Sequence, residues 1–515
     1  MTSRKWHADV QLSSDLETAE QSLAEKPDPG RDLVIGVMAD FLGPFGQDSL
    51  ADRVPLRKRK FFDVDRDIFD EVLARFGVRW QGKLQGVPGA GAKGFPVELA
   101  IRSMEDFHPD RIVQQIPALR ALHGILAALE DPGRFEAAAA QVLRWTGPEE
   151  TPEPPGRLPV TPPPGAVDGA GLLDAILHEQ PQAPVGRPSD LDRFVREIVE
   201  PHLVKIDMRR QEMMSAAVNE ALSIQVRSVL HDPAFRALES LWRSLYRLVL
   251  VTGSGTCVRI LQARKEELLE DVTSGGSLEA SGLGGPLLER TSVPGSKRFS
   301  LLVGGYEFCH DLEDLAVLER MGNIGAALKA PFVAAAHPGL FGFRSYEELP
   351  EAAVVERRLE SDDYGPWRLL RKTRAARWLA LAAPRLLCRM PYGPESDPAE
   401  SFQFHEFAEP AEHEDFVWGS PAFGVAAVFA GAFAEEGWQM NPAEAVPRLD
   451  GLPLYVYKED GEDVTLPCAE ALLGERMVET FMDAGVLPLV SYRDADIVSF
   501  PSLQLLAQPR APIRL

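Results

Sequence analysis

Cysteine is scarce in this chain of 515 residues. The four cysteines lie far apart and none belongs to a CxxC pair; they are Cys257, Cys309, Cys388 and Cys468. Disulfide frameworks need several cysteines in a short secreted chain, and zinc sites need closely spaced ligands. The sequence therefore predicts structural thiols buried in a protein of the reducing cytoplasm, with neither a disulfide nor a metal centre.

Long apolar runs are also missing. The longest, residues 423–434, falls short of the ~20 residues that a membrane-spanning helix needs. We therefore expect a buried helix there and no membrane insertion. No apolar run follows the basic residues at the N-terminus, so no signal peptide is expected. With 45% hydrophobic and 25% charged residues, the composition is that of a globular protein.

Positive charge is in deficit, with 54 Lys and Arg against 77 Asp and Glu, which gives a formal net charge of −23. Such a protein repels nucleic acid and anionic membrane surfaces, so neither is an expected partner. The excess of acidic residues is compatible with simple solubility and equally with a role in assembly. Composition alone leaves both interpretations open.

Three stretches resemble motifs of known binding or active sites, but the residues around each of them do not fit the motif. Residues 89–94 match GxGxxG, but a proline precedes them and a strand follows, so a hairpin-type loop is predicted. Residues 63–67 begin like a calcium loop but lack its glycine and its glutamate, so they should lead into a helix and cap it. The pairs at 405–406 and 413–414 combine His with Glu without metal-site spacing, which favours a solvated acidic loop. We therefore expect no catalytic, cofactor-binding or metal-binding residue and no enzyme.

A proline-rich stretch divides the chain. Proline removes a backbone donor and fixes φ, so residues 147–170 are predicted to be a semi-extended linker. The predicted domains are therefore 1–146 and 171–515. Strand-like apolar runs occur in both, at 33–38, 97–101, 257–261, 299–303, 332–336, 454–457 and 487–490. Because helical patterns alternate with these runs, the predicted fold class is mixed α/β, with two docked α/β domains.

Helical signals are clearest at four places. A helix is predicted over 65–75, and a helical pattern over 109–129 that Pro117 should interrupt. Ser103 and Asp106 resemble a capping box. A further helical pattern runs over 190–230, and after it Asp232 should cap a helix that begins at Pro233 and buries an apolar stripe.

The second part resembles the large subunit of the type VI secretion contractile sheath. The resemblance begins at LLDAIL (172–177) and continues through the stretches LSIQ (222–225), HDPAF (231–235), LESLWRSL (238–245), LVGGYEF (302–308), APFVAAA (330–336), PRLLCRMPYG (384–393) and VWG (417–419). The first part resembles the small sheath subunit, in GVMAD (36–40), RKFFDVDRDIFDEV (59–72), SMEDFHP (103–109) and QIPAL (115–119). The family encodes these subunits separately, whereas here they are fused.

This resemblance implies a structural protomer of a sheath that surrounds an inner tube and contracts to deliver effectors. The implied partners are other sheath protomers, the inner tube protein, the baseplate and an AAA+ recycling unfoldase. The family's large subunit continues well past a segment that resembles 484–508, so we expect the isolated chain to be a monomer or a small oligomer. The alternative is a sheath-derived accessory or regulatory protein that binds sheath components without polymerising.

Two groups of residues are candidate interaction sites. The helical face with Ile112, Val113 and Ile116 is our candidate for docking between the two parts, although these residues are equally suited to packing within the first part. The apolar stripe of Leu172, Leu173, Ile176 and Leu177 matches the family helix that the unfoldase captures. The alternative for that stripe is ordinary packing onto its own domain.

Overall fold

The computed structural model describes residues 30–44, 54–84, 95–146, 208–291, 297–407, 411–444, 446–459 and 462–515. The predicted linker at 147–170, the predicted helix at 172–177 and the GxGxxG match at 89–94 lie outside these residues. Both helices and strands are present, and the predicted mixed α/β class is confirmed.

In the described residues the strands are β1 (Leu33–Ala39), β2 (Phe62–Val64), β3 (Val78–Leu84), β4 (Phe95–Ile101), β5 (Thr256–Gln262), β6 (Leu301–Phe308), β7 (Phe332–Ala336), β8 (Leu379–Ala383), β9 (Leu386–Leu387), β10 (Trp418–Gly419), β11 (Arg448–Leu449), β12 (Tyr455–Glu459), β13 (Glu462–Leu466), β14 (Val486–Pro488), β15 (Val490–Ser491) and β16 (Val498–Ser499). The α-helices are α1 (Phe69–Phe76), α2 (Pro109–Gln115), α3 (Pro117–Glu130), α4 (Phe135–Thr146), α5 (Met208–Leu230), α6 (Pro233–Leu250), α7 (Lys265–Thr273), α8 (Gly284–Thr291), α9 (Leu312–Leu328), α10 (Ala352–Leu359), α11 (Gly365–Leu370), α12 (Pro421–Glu436) and α13 (Glu475–Ala484).

The largest sheet has seven strands in the order β14-β8-β7-β6-β1-β5-β2. Its strands run parallel except β2, which is antiparallel to β5. The strand β1 precedes the proline-rich stretch, yet both of its neighbours, β5 and β6, follow it. The two parts of the sequence therefore build one continuous sheet.

The inner position of β1 explains its composition. All seven residues of LVIGVMA are buried, as is usual for a strand of a parallel sheet that is covered on both faces. Leu33 is paired with Thr256 and Ala39 with Gln262 along β5, while Ile35 is paired with Leu301 on β6. The backbone of β1 is thus hydrogen-bonded on both sides.

Helices cover both faces of this sheet. Val34 and Met38 of β1 share a hydrophobic cluster with α9 residues such as Leu318 and Ile324. The helix α12 packs along β6, β7 and β8 and against α6, and none of its residues belongs to that cluster. Because α9 and α12 contact the same strands and α12 contributes nothing to the cluster that contains α9, they lie on opposite faces, and the sheet is the middle layer of an α/β sandwich.

Several local predictions are confirmed. The apolar run at 423–434 lies within the buried helix α12, where the Ser420 side chain accepts from Ala422 N and caps the first turn. The pattern over 109–129 is broken into α2 and α3 at Pro117. Asp232 caps α6 by accepting from Ala234 N at 3.0 Å and Phe235 N at 3.1 Å. Asp106 accepts from Ser103 N at 3.0 Å, as a capping box requires.

Two predicted boundaries are shifted. The helix predicted from residue 65 begins at Phe69, because Asp65 Oδ1 accepts from Asp67 N and Ile68 N and holds a turn first. The strand predicted at 299–303 runs instead from Leu301 to Phe308, across two glycines. A Cβ on Gly305 would lie 2.6 Å from Ala39 Cβ, so this position on β6 needs glycine for the close approach of β1.

The contacts divide the chain into two compact units. Among the described residues, one unit comprises those within 30–84, 95–116 and 225–515, and contains the seven-stranded sheet. The other comprises residues 117–146 and 208–224. In this second unit α3 packs against α4, and Gln211 Nε2 donates to Leu129 O at 2.8 Å. These units mix residues from before and after the proline-rich stretch, and the domains 1–146 and 171–515 stay a prediction.

Among the described helices, none is by itself long and apolar enough to span a bilayer. The helices α2 and α3 meet the length and composition criteria only when taken together as a bent pair.

The shared sheet predicts that the two parts hold together without their covalent connection. Cutting the chain at a protease site placed beside Pro154 should leave the fragments co-eluting in gel filtration, since β1 is hydrogen-bonded between β5 and β6. Introducing Ile35→Asp, which places an unpaired charge at a fully buried position, should make the cut fragments separate. The control is Val456→Asp, at a 49% exposed position, and its cut fragments should stay together. Clean separation of the cut wild-type chain would contradict the prediction.

Candidate functional site

Side chains from early and late sequence also meet around the indole of Trp242 on α6. Its ring centroid lies 5.2 Å from that of Phe41, 5.9 Å from Phe69 and 5.8 Å from Phe76, all of which precede the proline-rich stretch. Trp242 Nε1 donates to Phe41 O at 3.1 Å, so the buried indole N–H is satisfied. Aromatic rings at these separations stabilise a core beyond the area that they bury. This aromatic cluster is therefore a central anchor between the two parts.

A second anchor lies at the start of α6. Trp80 Nε1 on β3 donates at 2.8 Å to Asp232 Oδ1, the same oxygen that caps α6. Phe235 packs edge-on against Trp80 and Phe107, with centroids 5.8 Å and 5.5 Å away. The N-terminus of α6 is thus fixed by residues from the first part of the sequence.

Ion pairs join the edge of the sheet to neighbouring segments. Arg59 donates to both carboxylate oxygens of Glu267, at 2.8 Å and 2.6 Å, with the Arg59 side chain only 5% exposed. Asp63 on β2 accepts from Arg259 on β5 at 2.5 Å. The predicted calcium-like stretch therefore uses its acidic residues for an ion pair and for a turn that leads into α1. The predicted cap is not formed, because the residue before α1 is Ile68, which has no capping side chain.

The most deeply buried charges surround Arg389. Its guanidinium lies between two carboxylates, with Nε 2.6 Å from Glu239 Oε1 and Nη1 2.7 Å from Glu406 Oε2. Side-chain exposure is 8% for Arg389, 0% for Glu239 and 1% for Glu406. Arg243 also donates to Glu239, at 2.8 Å, so two guanidinium groups face two carboxylates. The two positive charges thus offset the two negative charges, and the carboxylates of Glu239 and Glu406 have almost no access to water.

The electrostatics of this network agree with its geometry. Burial alone would raise the pKa of Glu239, but Arg389 and Arg243 outweigh burial and hold that pKa below its usual value. Burial would lower the pKa of Arg389, whereas Glu239 and Glu406 raise it well above the usual value. The pKa of Tyr392 is raised, mainly by burial. The pKa shifts of Glu239 and Arg389 therefore both favour the ionised forms, as expected of a buried ion pair.

Tyr392 connects the network to the first part of the sequence. Its hydroxyl accepts from Arg243 Nη2 at 2.8 Å and donates to Phe107 O at 3.4 Å. Nearby, the Asp110 carboxylate on α2 accepts from Glu400 N at 2.8 Å and Ser401 N at 3.1 Å. The segment that contains Arg389 and Tyr392 is thus positioned from both parts of the chain.

A second charge cluster contains the only group of potential metal ligands among the described residues: His413, Glu414 and Glu470. His413 Nε2 lies 3.0 Å from Glu470 Oε1, and Arg385 contacts both oxygens of Glu470, at 2.8 Å and 2.6 Å. Arg385 Nη2 is also 3.4 Å from Glu414. The Arg385 guanidinium thus already contacts both carboxylates, so the arrangement fits an ion-pair cluster better than a cation site.

The structure corrects one sequence-based expectation about these segments. Glu406 was expected in a solvated acidic loop, but its carboxylate is 1% exposed and binds Arg389. Sequence reasoning missed this network because Glu239, Arg389 and Glu406 are far apart in the chain. One signal was available: PRLLCRMPYG, among the most specific stretches of the resemblance, contains both Arg389 and Tyr392.

The predicted docking residues Ile112, Val113 and Ile116 are all buried, with exposures of 0%, 1% and 1%. Their helix α2 packs against β4 and the turn Met104–Phe107, which belong to the same part of the sequence. The link from α2 to the second part is made by Asp110. The role of the three apolar residues in docking stays a prediction. The stripe of Leu172, Leu173, Ile176 and Leu177 lies outside the described residues.

All four cysteines are free thiols. Cys468 is buried, and the other three are partly exposed, which is less burial than the sequence suggested. Burial raises the pKa of the Cys468 thiol to about 11, so this group stays protonated at neutral pH.

Removing the Arg389 guanidinium should destabilise the fold strongly. Arg389→Met leaves Glu239 and Glu406 buried without their shared partner, which we expect to cost about 3–5 kcal/mol in the free energy of unfolding. The matched control is Arg79→Met. Arg79 pairs with Glu98 at the same 2.6 Å, but both side chains are substantially exposed, so the expected loss is only about 0–1 kcal/mol. Equal urea midpoints for the two variants would contradict this interpretation.

The Arg385 cluster predicts a defined pH dependence. Burial would raise the pKa of Glu470, but Arg385 and His413 hold it below its usual 4.5. Protonation therefore favours the unfolded chain: the stabilisation is complete above about pH 4.5 and is lost as the pH falls through the folded pKa. Glu470→Gln should flatten the decline of unfolding free energy below pH 4.5. Glu414→Gln, at a 61% exposed side chain in the same cluster, should leave the decline unchanged. Identical acid profiles for wild type and Glu470→Gln would count against the prediction.

Both parts of the chain match families of known proteins. Residues 212–507 match the family described as the EvpB (VipB) tail sheath N-terminal domain, and residues 10–134 match the type VI secretion system VipA family. The chain is 30% identical over 306 residues to the type VI secretion system sheath protein TssC1 of Pseudomonas aeruginosa. That alignment covers 58% of this chain and 61% of the relative. The first match includes Trp242, Arg389 and every strand from β5 to β16, and the second includes β1 to β4. The chain therefore belongs to the tail sheath protein family of type VI secretion systems, with a VipA-like part fused before its sheath domain.

Proposed function

We propose that this chain is a structural protomer of a type VI secretion contractile sheath, with both subunit types supplied by one polypeptide. The observation that carries this proposal is the position of β1. A strand from the VipA-like part fills the sheet of the sheath domain between β5 and β6. Fusion supplies the two parts in equal number and at a high effective concentration.

The described residues suit a mechanical role. A sheath is a helical stack of identical blocks, and its contraction exchanges one packing of rigid blocks for another. The aromatic cluster around Trp242 and the ion network around Arg389 keep each block rigid. The buried charges of Arg389, Glu239 and Glu406 are paired with one another and so hold α6 against a neighbouring loop.

The partners follow from this role. Other sheath protomers are the first, and we further propose the inner tube protein, the baseplate and an AAA+ recycling unfoldase. For the unfoldase we propose the stripe of Leu172, Leu173, Ile176 and Leu177, whose spacing suits a helix held in a groove. For docking between the parts we propose that Ile112, Val113 and Ile116 support the contact that Asp110 makes.

Electron microscopy tests the proposed function directly. The purified full-length chain is mixed with the inner tube protein encoded in the same cell, and negatively stained particles are examined. Hollow helical assemblies that enclose the tube are the expected result, because the tube supplies a template for stacking. Ile35→Asp is the control and should abolish these assemblies, since it disrupts the shared sheet. If the folded wild-type chain forms no helical assembly with the tube protein, the protomer function is wrong.

A further inference from the structure

One short segment is strongly basic although the protein as a whole is acidic. Residues 368–377 read RLLRKTRAAR and contain five basic residues and no acidic residue, in a chain with a net charge of −23. Arg368 donates to the backbone oxygens of Leu359 and Ser361, and Arg371 donates to those of Leu506 and Asp483. These two arginines therefore serve the fold, and their charges are directed inward.

Two of the three remaining cations face outward, and the third, Arg377, is partly buried. Lys372 and Arg374 are exposed, and in the described part of the chain neither forms an ion pair. Structural arginines normally take carboxylate or carbonyl partners, as Arg368 and Arg371 do here. Lys372 and Arg374 thus form a local positive patch on an acidic protein.

Arg374 of this patch lines an open groove of about 630 Å³. Its floor is one face of α9, with the small residues Ala316 and Ala327 beside Asn323, and Arg374 forms one wall. Arg320 reaches across the floor to within 3.5 Å of Gly276 O. The lining includes one carboxylate, that of Glu319, so the cations of the lining outnumber the anions. A narrow, acidic protein segment fits this combination of small side chains and positive charge.

A segment with those properties is present elsewhere on the same chain. The strands β12 and β13 form a two-stranded antiparallel sheet that pairs with no other described strand. Tyr455 and Leu466, at its base, pack against a small cluster with Phe416 and Trp418. At the other end Glu462 and Asp463 are exposed, and the sequence from 459 to 463 reads EDGED. Within the described residues, neither Glu462 nor Asp463 forms an ion pair.

We propose that Glu462 and Asp463 of one copy bind in the groove lined by Arg320 and Arg374 of a second copy, where the exposed Lys372 is two residues from Arg374 in the sequence. This contact rests on the proposed function, because it would be one of the contacts between protomers. Two molecules that each carry a net charge of −23 repel each other unless oppositely charged patches meet. The positive groove and the acidic hairpin end satisfy that condition.

The geometry of such a contact determines the type of assembly. Groove and hairpin are different surfaces, so a groove–hairpin contact is heterologous and leaves one free groove and one free hairpin on every pair. Further copies can then add at both ends. Unless the rotation between copies closes a ring, the product is an open helical array, which is the form that a sheath requires.

Charge exchange tests the contact. The groove variant carries Lys372→Glu and Arg374→Glu, and the hairpin variant carries Glu462→Lys and Asp463→Lys. In sedimentation experiments at low salt we expect each variant alone to self-associate at least about tenfold more weakly than wild type. An equimolar mixture of the two variants should recover association, because each then offers a surface complementary to the other. Raising the salt from about 0.1 M to about 1 M shortens the screening length from about 10 Å to about 3 Å and should weaken wild-type association.

The control variant carries Arg493→Glu and Arg514→Glu, which change the net charge by the same amount at exposed positions outside the groove. It should retain more of the wild-type association than the groove variant does. The proposal is overturned if wild type stays monomeric at low salt, if the groove variant associates like wild type, or if the mixture does not recover. Helical assemblies on the tube protein that survive both charge variants would overturn this contact and leave the protomer function standing. Charge-dependent association without any helical assembly would support this contact and contradict the protomer function.

Discussion

The structure depends on the hydrogen-bonding demand of two strands. In the seven-stranded sheet the backbones of β5 and β6 each need a hydrogen-bonding partner along their inner edge. The strand β1 lies between them and pairs with both. An inner gap in a parallel sheet would leave two rows of buried N–H and C=O groups without partners, each at a cost comparable to a lost hydrogen bond. In this structure the strands that follow the proline-rich stretch leave one inner position of the sheet to β1. The VipA-like part is an inner element of the fold, and Gly305 is kept free of a side chain to accommodate it.

Side-chain contacts reinforce what the backbone establishes. The Trp242 cluster holds α6 over aromatic rings from the first part of the sequence, and Asp232 serves α6 twice, as its cap and as the acceptor of Trp80. Arg389 then joins α6 to the loop that contains Glu406. A buried pair of this kind adds little net stability compared with an apolar core, but it penalises any arrangement that separates the charges. It therefore favours one orientation of α6 relative to that loop over all others.

Local signals in the sequence predicted local structure well. Pro117 broke the helical pattern, Asp232 capped α6, and the apolar run within α12 was a buried helix, because each depends on neighbouring residues only. The partners of β1 could not be predicted in this way. Its apolar sequence indicates burial, but which strands lie beside it is decided by residues far along the chain. Glu406 was misjudged for the same reason: its sequence neighbours suggested an acidic loop, whereas its spatial neighbour is Arg389. The resemblance to sheath proteins supplied the family, which no single motif would have given.

The inner position of β1 also affects how the chain must fold during synthesis. The ribosome completes β1 long before β5, and β5 before β6, yet the three are adjacent in the sheet. A buried apolar strand without partners is prone to aggregation while it waits, and pairing over such a sequence separation is slow. In a system with separate subunits, this wait would end only when a second polypeptide arrived. In the fused chain this period ends when the same ribosome finishes β6, because β1 can then pair with β5 and β6 of its own polypeptide. We therefore expect β1 to need chaperone binding only for a short time during synthesis.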